Sequence, residues 1–229
     1  MHGSYLPPAH TKTAIFFLFS STMTSTNVVA VDSLRTKVEQ DATRIVNESL
    51  LGKIESLNQI YLSCKAVSNV YNTISVDLSE QVSINGAVKG AIDILKKEVK
   101  DMLIDLSSLK LWIRLNMPRM EDGNNFGVEV QEEVLGMING LYSSGLSFLK
   151  NLSGYYFKRG KLISKIRKQP HIEDFLAGAE DIDEKQYSNL VQSCCDLRNN
   201  YAFLYDKIIK NQEKLIKPKG RSNAAGAMY

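Results

Sequence analysis

Apolar residues recur mostly at three- and four-residue steps, or multiples of them, along four long stretches of this 229-residue chain, the period of an α-helix. The first stretch covers residues 32–62. Leu34, Val38, Ile45, Ile54, Leu57 and Tyr61 share its inner face, Asp32 or Ser33 can cap it, and Gly52 is an internal blemish costing about 1 kcal/mol. The second, 87–117, carries Val88, Ile92, Leu95, Val99, Leu103, Leu106, Leu109 and Ile113. Pro118 ends it, having no amide hydrogen and disfavouring helical geometry in the residue before it. The third, 128–168, sets Val130, Val134, Ile138, Leu141, Leu149, Leu152, Tyr156, Ile163 and Ile166 inward and stops at Pro170. The fourth, 183–216, has the cleanest stripe: Tyr187, Leu190, Val191, Cys194, Leu197, Tyr201, Leu204, Tyr205, Ile208 and Leu215. Pro218 and Gly220 close it.

Residues 63–87 break the period. They are rich in Ser, Asn and Val and end on the turn pair Asn85-Gly86, so they read as a linker. Alternation over 71–78 mimics a strand that has nothing to pair with. Residues 119–127 form a polar loop, and 217–229 a polar tail without periodicity, disordered when free. Helices of ~30 residues are ~45 Å long. Four of them, with short connections after the second and third, predict an all-α, up-down-up-down four-helix bundle over residues 31–216.

Composition changes this picture little. At 44% hydrophobic and 23% charged the chain is ordinary for a folded domain, and a net charge of +3 is too mild to argue for nucleic acid. Cys64, Cys194 and Cys195 are odd in number and partly adjacent, which fits a reducing compartment, cytoplasm or nucleus. Zinc needs about four clustered ligands, and His2, His10 and His171 are scattered, so neither a metal nor a cofactor is expected. Residues 14–19 (AIFFLF) are too short to cross a bilayer, which takes about 20 residues. With Pro7 and Pro8 ahead of them, residues 1–30 read as a disordered extension upstream of a natural start near Met23. A signal peptide with Lys12 as its basic region is the alternative. On the first reading the sequons at Asn47 and Asn151 carry no meaning.

The loop holds the most distinctive residues. Glu121, Asp122, Gly123, Asn124, Asn125, Phe126 and Gly127 sit between two long helices, and all but Phe126 suit turn geometry. Physics alone reads an ordinary connection with Asn124 or Asn125 near a cap. The run PRMEDGNNFGVEVQEE, however, resembles the activation loop and following helix start of the 11S (REG) family of proteasome activators. That family's pattern is roughly P-[KR]-I-E-D-G-N-N-F-G-V-x-[VI]-Q-E, with Met120 here in place of Ile. VDSLRTKVEQDA, LKLWIRLNMP, SKIRKQPHIEDF, DIDEKQYSNL and LRNNYAFLYDKIIKNQEKLIKPKG resemble further family segments, so the likeness covers residues 31–229 except 63–87. In the family that interval is a variable insertion, often charged or bearing a nuclear-import cluster; neither is present here. The joint of helices three and four is similar to the gamma type.

The resemblance implies a ring of seven subunits, a homo-heptamer with a hetero-heptamer as alternative. It implies a ring that caps the α-ring of the 20S proteasome without ATP and opens its gate. Residues Ala227, Met228 and Tyr229 would anchor the tail, and the loop would act on the gate. A free carboxylate on a flexible tail suits capture in a groove, and seven weak tails gain avidity. Charge is also segregated: 158–168 has six bases and no acid, and 171–184 has six acids and no base. Helix dipoles account for this at about 0.3–1 kcal/mol per charge. The other reading is a charged collar in a ring channel, formed by Lys158, Arg159, Lys161 and Lys165.

Catalytic constellations are missing. No GxSxG, phosphate loop or Ser/His/Asp set occurs, and Glu132-Glu133 reads as a solvated face, so no enzyme is expected. Trp112 reads as core or subunit interface. The rival readings are a generic helical scaffold without a proteasome role and a secreted cytokine-like bundle. No membrane or nucleic-acid partner is expected.

Overall fold

Each rod of the structure begins and ends where local chemistry dictates. The computed structural model describes residues 25–66, 82–119 and 125–219, with side chains from residue 30 onward. The first rod runs through α1 (Ser25–Arg44), a π-helical turn (Ile45–Ser49) and α2 (Leu50–Lys65) without leaving helical geometry at either junction. Helix α3 spans Gly86–Leu115, α4 spans Phe126–Lys168 and α5 spans Glu173–Ile216. Asn85 starts α3: it is extended at ψ 111°, and its side chain accepts the Val88 amide at 3.2 Å. Gln169 (φ −138°, ψ 67°) and Lys217 (φ −132°, ψ 76°) end α4 and α5 outside helical geometry, each preceding a proline that disfavours it.

The rods pack antiparallel around one core. The first rod lies against α3 and α5, and α4 lies against α3 and α5 on the other side. Leu57, Val88, Leu109, Ile113, Val134, Ile138 and Leu215 are completely buried. Gly145 lets α4 approach α3 closely: a Cβ there would lie 3.1 Å from Leu103 Cδ2 and Met102 Cε. The expected four-helix bundle is what the described residues form, and they contain no strand.

Several details differ from the sequence expectation. Helix α5 starts ten residues earlier, at Glu173, because Phe175, Leu176 and Ala179 pack on Leu162, Ile163 and Ile166 in a small second core. The first rod begins at Ser25, inside the stretch read as an extension, and its π turn inserts one residue per turn that rotates the inner face. Leu34, expected inside, is 49% exposed, while Ala42, Val46 and Leu50 are buried. On α4 the inward tyrosine is Tyr155, and Tyr156 faces out. The expected features of residues 1–24 and the alternation at 71–78 lie outside the described residues.

Candidate functional site

The antiparallel order brings four chain segments to one end: the start of the first rod, the C-terminus of α3, the N-terminus of α4 and the C-terminus of α5. The described residues that border 120–124 and 220–229 therefore lie at the same end. Glu121, Asp122, Gly123 and Asn124 lie outside the described residues, as do Ala227, Met228 and Tyr229. Asn125 precedes α4, and its carbonyl accepts the Glu129 amide at 3.0 Å. Its side chain makes no cap hydrogen bond. Phe126 is 59% exposed. Gly127 is buried in the first turn of α4, so it is a helix residue and not the last residue of the loop.

Side chains tie this end together. Gln131, fully buried one turn beyond Gly127, donates Nε2 to the Leu215 carbonyl at 2.9 Å and to the Asn116 carbonyl at 3.3 Å. Arg35 donates to the Leu115 carbonyl at 3.1 Å, placing a cation on the negative end of α3. Lys207 of α5 bridges Glu133 of α4 at 2.6 Å. Trp112 and Ile113 are buried beneath, so Trp112 belongs to the subunit core. Sequence reading missed Gln131, although it occupies an inward position of the α4 stripe, four residues after Gly127 and three before Val134. A polar residue on a core stripe was the available signal.

The four candidate channel residues separate. Lys158, Lys161 and Lys165 share one exposed face of α4, three or four residues apart. Lys161 Nζ sits 4.3 Å from the centre of the Phe157 ring, and Lys165 Nζ 5.2 Å from that of Phe175. Arg159 does not join them. It is buried, and its Nε donates to both Asp183 oxygens at 2.9 and 3.1 Å while Nη1 donates to the Ser83 carbonyl at 3.2 Å. Tyr155 and Asn85 donate to the same carboxylate at 2.9 and 3.0 Å. Arg159 therefore clamps α4, α5 and the start of α3 inside the subunit. One helical residue turns about 100°, so Arg159 could not point with Lys158. The charge segregation also falls on helix ends, with Lys165, Arg167 and Lys168 in the last turn of α4 and Glu173 and Asp174 in the first of α5.

Midway along the bundle a second polar belt crosses the core. Lys53 bridges Glu98 at 2.6 Å and Asp101 at 2.9 Å, and Ser49 in the π turn donates to Asp105 at 2.8 Å. Burial pushes the Asp105 carboxyl above its ordinary range, against the pull of Ser49 and the cations Arg44 and Lys53. Burial likewise pushes the Cys194 thiol up to about 11, which leaves it a protonated core residue at neutral pH. Cys64, Cys194 and Cys195 are free thiols. Among the described residues no helix is long and apolar enough to cross a membrane.

The family described as proteasome activator PA28, C-terminal, matches residues 81–225. A stretch of 151 residues is 41% identical to proteasome activator complex subunit 3 of Homo sapiens, covering 63% of this chain and 59% of that protein. The match thus spans less than two thirds of the relative's length. In fold the chain is similar to the 11S subunit of the Plasmodium falciparum proteasome, PA28, with TM-score 0.74 and 24% identity over 86% of this chain and 98% of that one. It is also similar to a chain in a crystal structure of an archaeal 20S proteasome in complex with a mutated P26 activator. There the TM-score is 0.69 and identity 16%, over 87% of this chain and 99% of the other. With the family pattern matched over well more than half its length, this chain belongs to the PA28 family of proteasome activators.

Proposed function

We propose that this chain is a subunit of a ring that activates the 20S proteasome without ATP. Its C-terminal tails bind the α-ring, and residues 121–126 act on the gate. The observation that carries this reading is geometric: the loop-bearing turn before α4 and the exit of α5 meet at one end of a long rigid bundle. A partner held by the tail is thereby presented to the loop. Family membership supplies the partner class.

The division of labour follows from the chemistry of the two elements. A single short segment offers few contacts and binds weakly alone, and copies on one ring gain avidity. The residues that flank the loop belong to two helices, α3 and α4, each more than 40 Å long at about 1.5 Å per residue, so the bundle fixes where the loop begins and ends. It favours the open state of the gate, a population shift without covalent chemistry, so the chain is a regulator and not an enzyme. Subunits close a heptameric ring through two different complementary faces, as cyclic symmetry requires. A homo-heptamer is the primary assembly and a mixed ring the alternative. The free thiols support a cytoplasmic or nuclear setting.

Lys158, Lys161 and Lys165 form the charged collar on this reading, without Arg159. The test is to mix purified protein with 20S proteasome and a fluorogenic peptide in the absence of ATP. Stimulated turnover is the expected result, and turnover equal to the 20S proteasome alone contradicts it.

A further inference from the structure

Gly127 permits a contact that no other residue would. A Cβ built on it would fall inside the Pro218 carbonyl group, within 2.6 Å of that residue's carbonyl carbon and Cα. The obstacle is backbone, so no side-chain rotation relieves it. One turn further along α4, the two Nε2 hydrogens of Gln131 are directed at two carbonyls, those of Leu215 and Asn116. Both carbonyls belong to helix ends, where main-chain acceptors lack intrahelical donors. Leu215 and Gln131 are each 0% exposed, so water does not substitute for the missing donors.

We infer that Gly127 and Gln131 form a latch that fixes the exit of α5 to the base of the loop. They are positioning residues: they set where the tail starts relative to where the loop stands. The inference rests on the proposed function, and it adds a coupling between its two halves. A tail tethered at a wandering point would tolerate many spacings between subunit and partner. A tail tethered at Pro218, locked onto the first turn of α4, transmits its bound position to the loop through one rigid contact. Lys217 supports this, since it has left helical geometry while its amide is still held by the Glu213 carbonyl at 2.8 Å. The chain therefore leaves the helix in a defined direction and not as a frayed end.

The experiment uses the full chain and three changes: Gln131→Met, which keeps side-chain length and removes the donors; Gly127→Ala; and a two-residue Gly-Ser insertion between Lys219 and Gly220. Hydrogen exchange on the protein alone reads the latch directly. In Gln131→Met the amides of 213–219 should exchange about fivefold faster, the effect of losing one ordinary hydrogen bond. Amides around Arg159 at the opposite end should not change. With 20S proteasome, Gln131→Met should keep co-sedimenting while maximal peptide turnover falls about tenfold, the scale of an ordinary coupling energy. The insertion should do the same, and adding Gln131→Met to it should produce no further loss, because both act on one spacing. Unchanged exchange at 213–219, or losses that multiply in the combined variant, overturns the latch. Absence of stimulation by the unmodified protein would defeat the proposed function instead, and exchange at 213–219 would still decide whether the latch exists. Gly127→Ala should match Gln131→Met in both readouts, and if its backbone overlap prevents folding, Gln131→Met carries the test.

Discussion

Replacing Arg159 with methionine should destabilise the subunit far more than replacing any neighbouring lysine. Its side chain is 9% exposed and that of Asp183 5%, so the pair is out of water. Removing the guanidinium leaves the carboxylate, among the described residues, with the Tyr155 hydroxyl and the Asn85 amide as donors. It also strips the Ser83 carbonyl of its Nη1 donor. Breaking a buried pair from one side costs about 3–5 kcal/mol, because a buried charge is left behind. For a chain of this size each kcal/mol moves the thermal midpoint by about 2–4 °C, so a drop of roughly 6–20 °C is expected. Unfolding should be followed at one fixed protein concentration, since assembly stabilises the folded subunit by mass action. The double variant Arg159→Met/Asp183→Leu should recover part of the loss, because it removes both charges, although the Tyr155 hydroxyl and the Asn85 amide lose the carboxylate they donate to. A single-variant cost under about 1 kcal/mol, the range of an exposed ion pair, would refute the clamp and return Arg159 to the surface.

Removing Ala227, Met228 and Tyr229 should abolish co-sedimentation with the 20S proteasome while native mass shows an intact ring; retained binding would show that the tail is not the anchor. Reversing Lys161 and Lys165 to Glu should alter which fluorogenic peptides are turned over, and salt should mute the change because the Debye length is about 8 Å at physiological ionic strength. An identical substrate profile would leave these lysines to the helix-dipole role. Asp105→Asn should raise the unfolding midpoint at neutral pH. The native carboxyl sits above its unfolded value of 3.8, so its burden is full where it is ionised and disappears as pH falls through the raised native value. The gain should therefore vanish in acid, and a gain that persists below pH 4 would contradict that assignment.

How far the sequence could be read depended on what each residue packs against. Leu190, Cys194, Leu197, Tyr201, Leu204 and Ile208 all lie in the core, because one face of a straight helix meets one continuous core and its period survives intact. The first rod was harder. A π turn at Ile45–Ser49 leaves no mark in composition; Ile54, Leu57 and Tyr61 beyond it pack on the core as expected, while Leu34, ahead of it, is exposed. The early start of α5 was hidden for a different reason: Phe175, Leu176 and Ala179 serve a small separate core, and acids among them imitate a solvated connection. Arg159 was grouped with lysines by proximity along the chain, where helical rotation separates them. The loop was conspicuous by its turn-forming residues. Gly127 was read with it as a turn glycine, but its reason is the approach of the Pro218 backbone, a long-range contact that no local pattern encodes.

On the proposed function, one end of the bundle both holds the proteasome, through the tail, and opens it, through the loop. Asn125→Tyr puts a bulky ring at the base of the loop, on the residue whose carbonyl takes the Glu129 amide, without touching the tail. Co-sedimentation with the 20S proteasome and ATP-free peptide turnover should be measured on the same preparation. The account predicts near-normal binding with stimulation lost, and a variant that inhibits the unmodified protein by competing for the same surface. Loss of binding and stimulation together would make the loop a structural element, and full retention of stimulation would make it an ordinary turn.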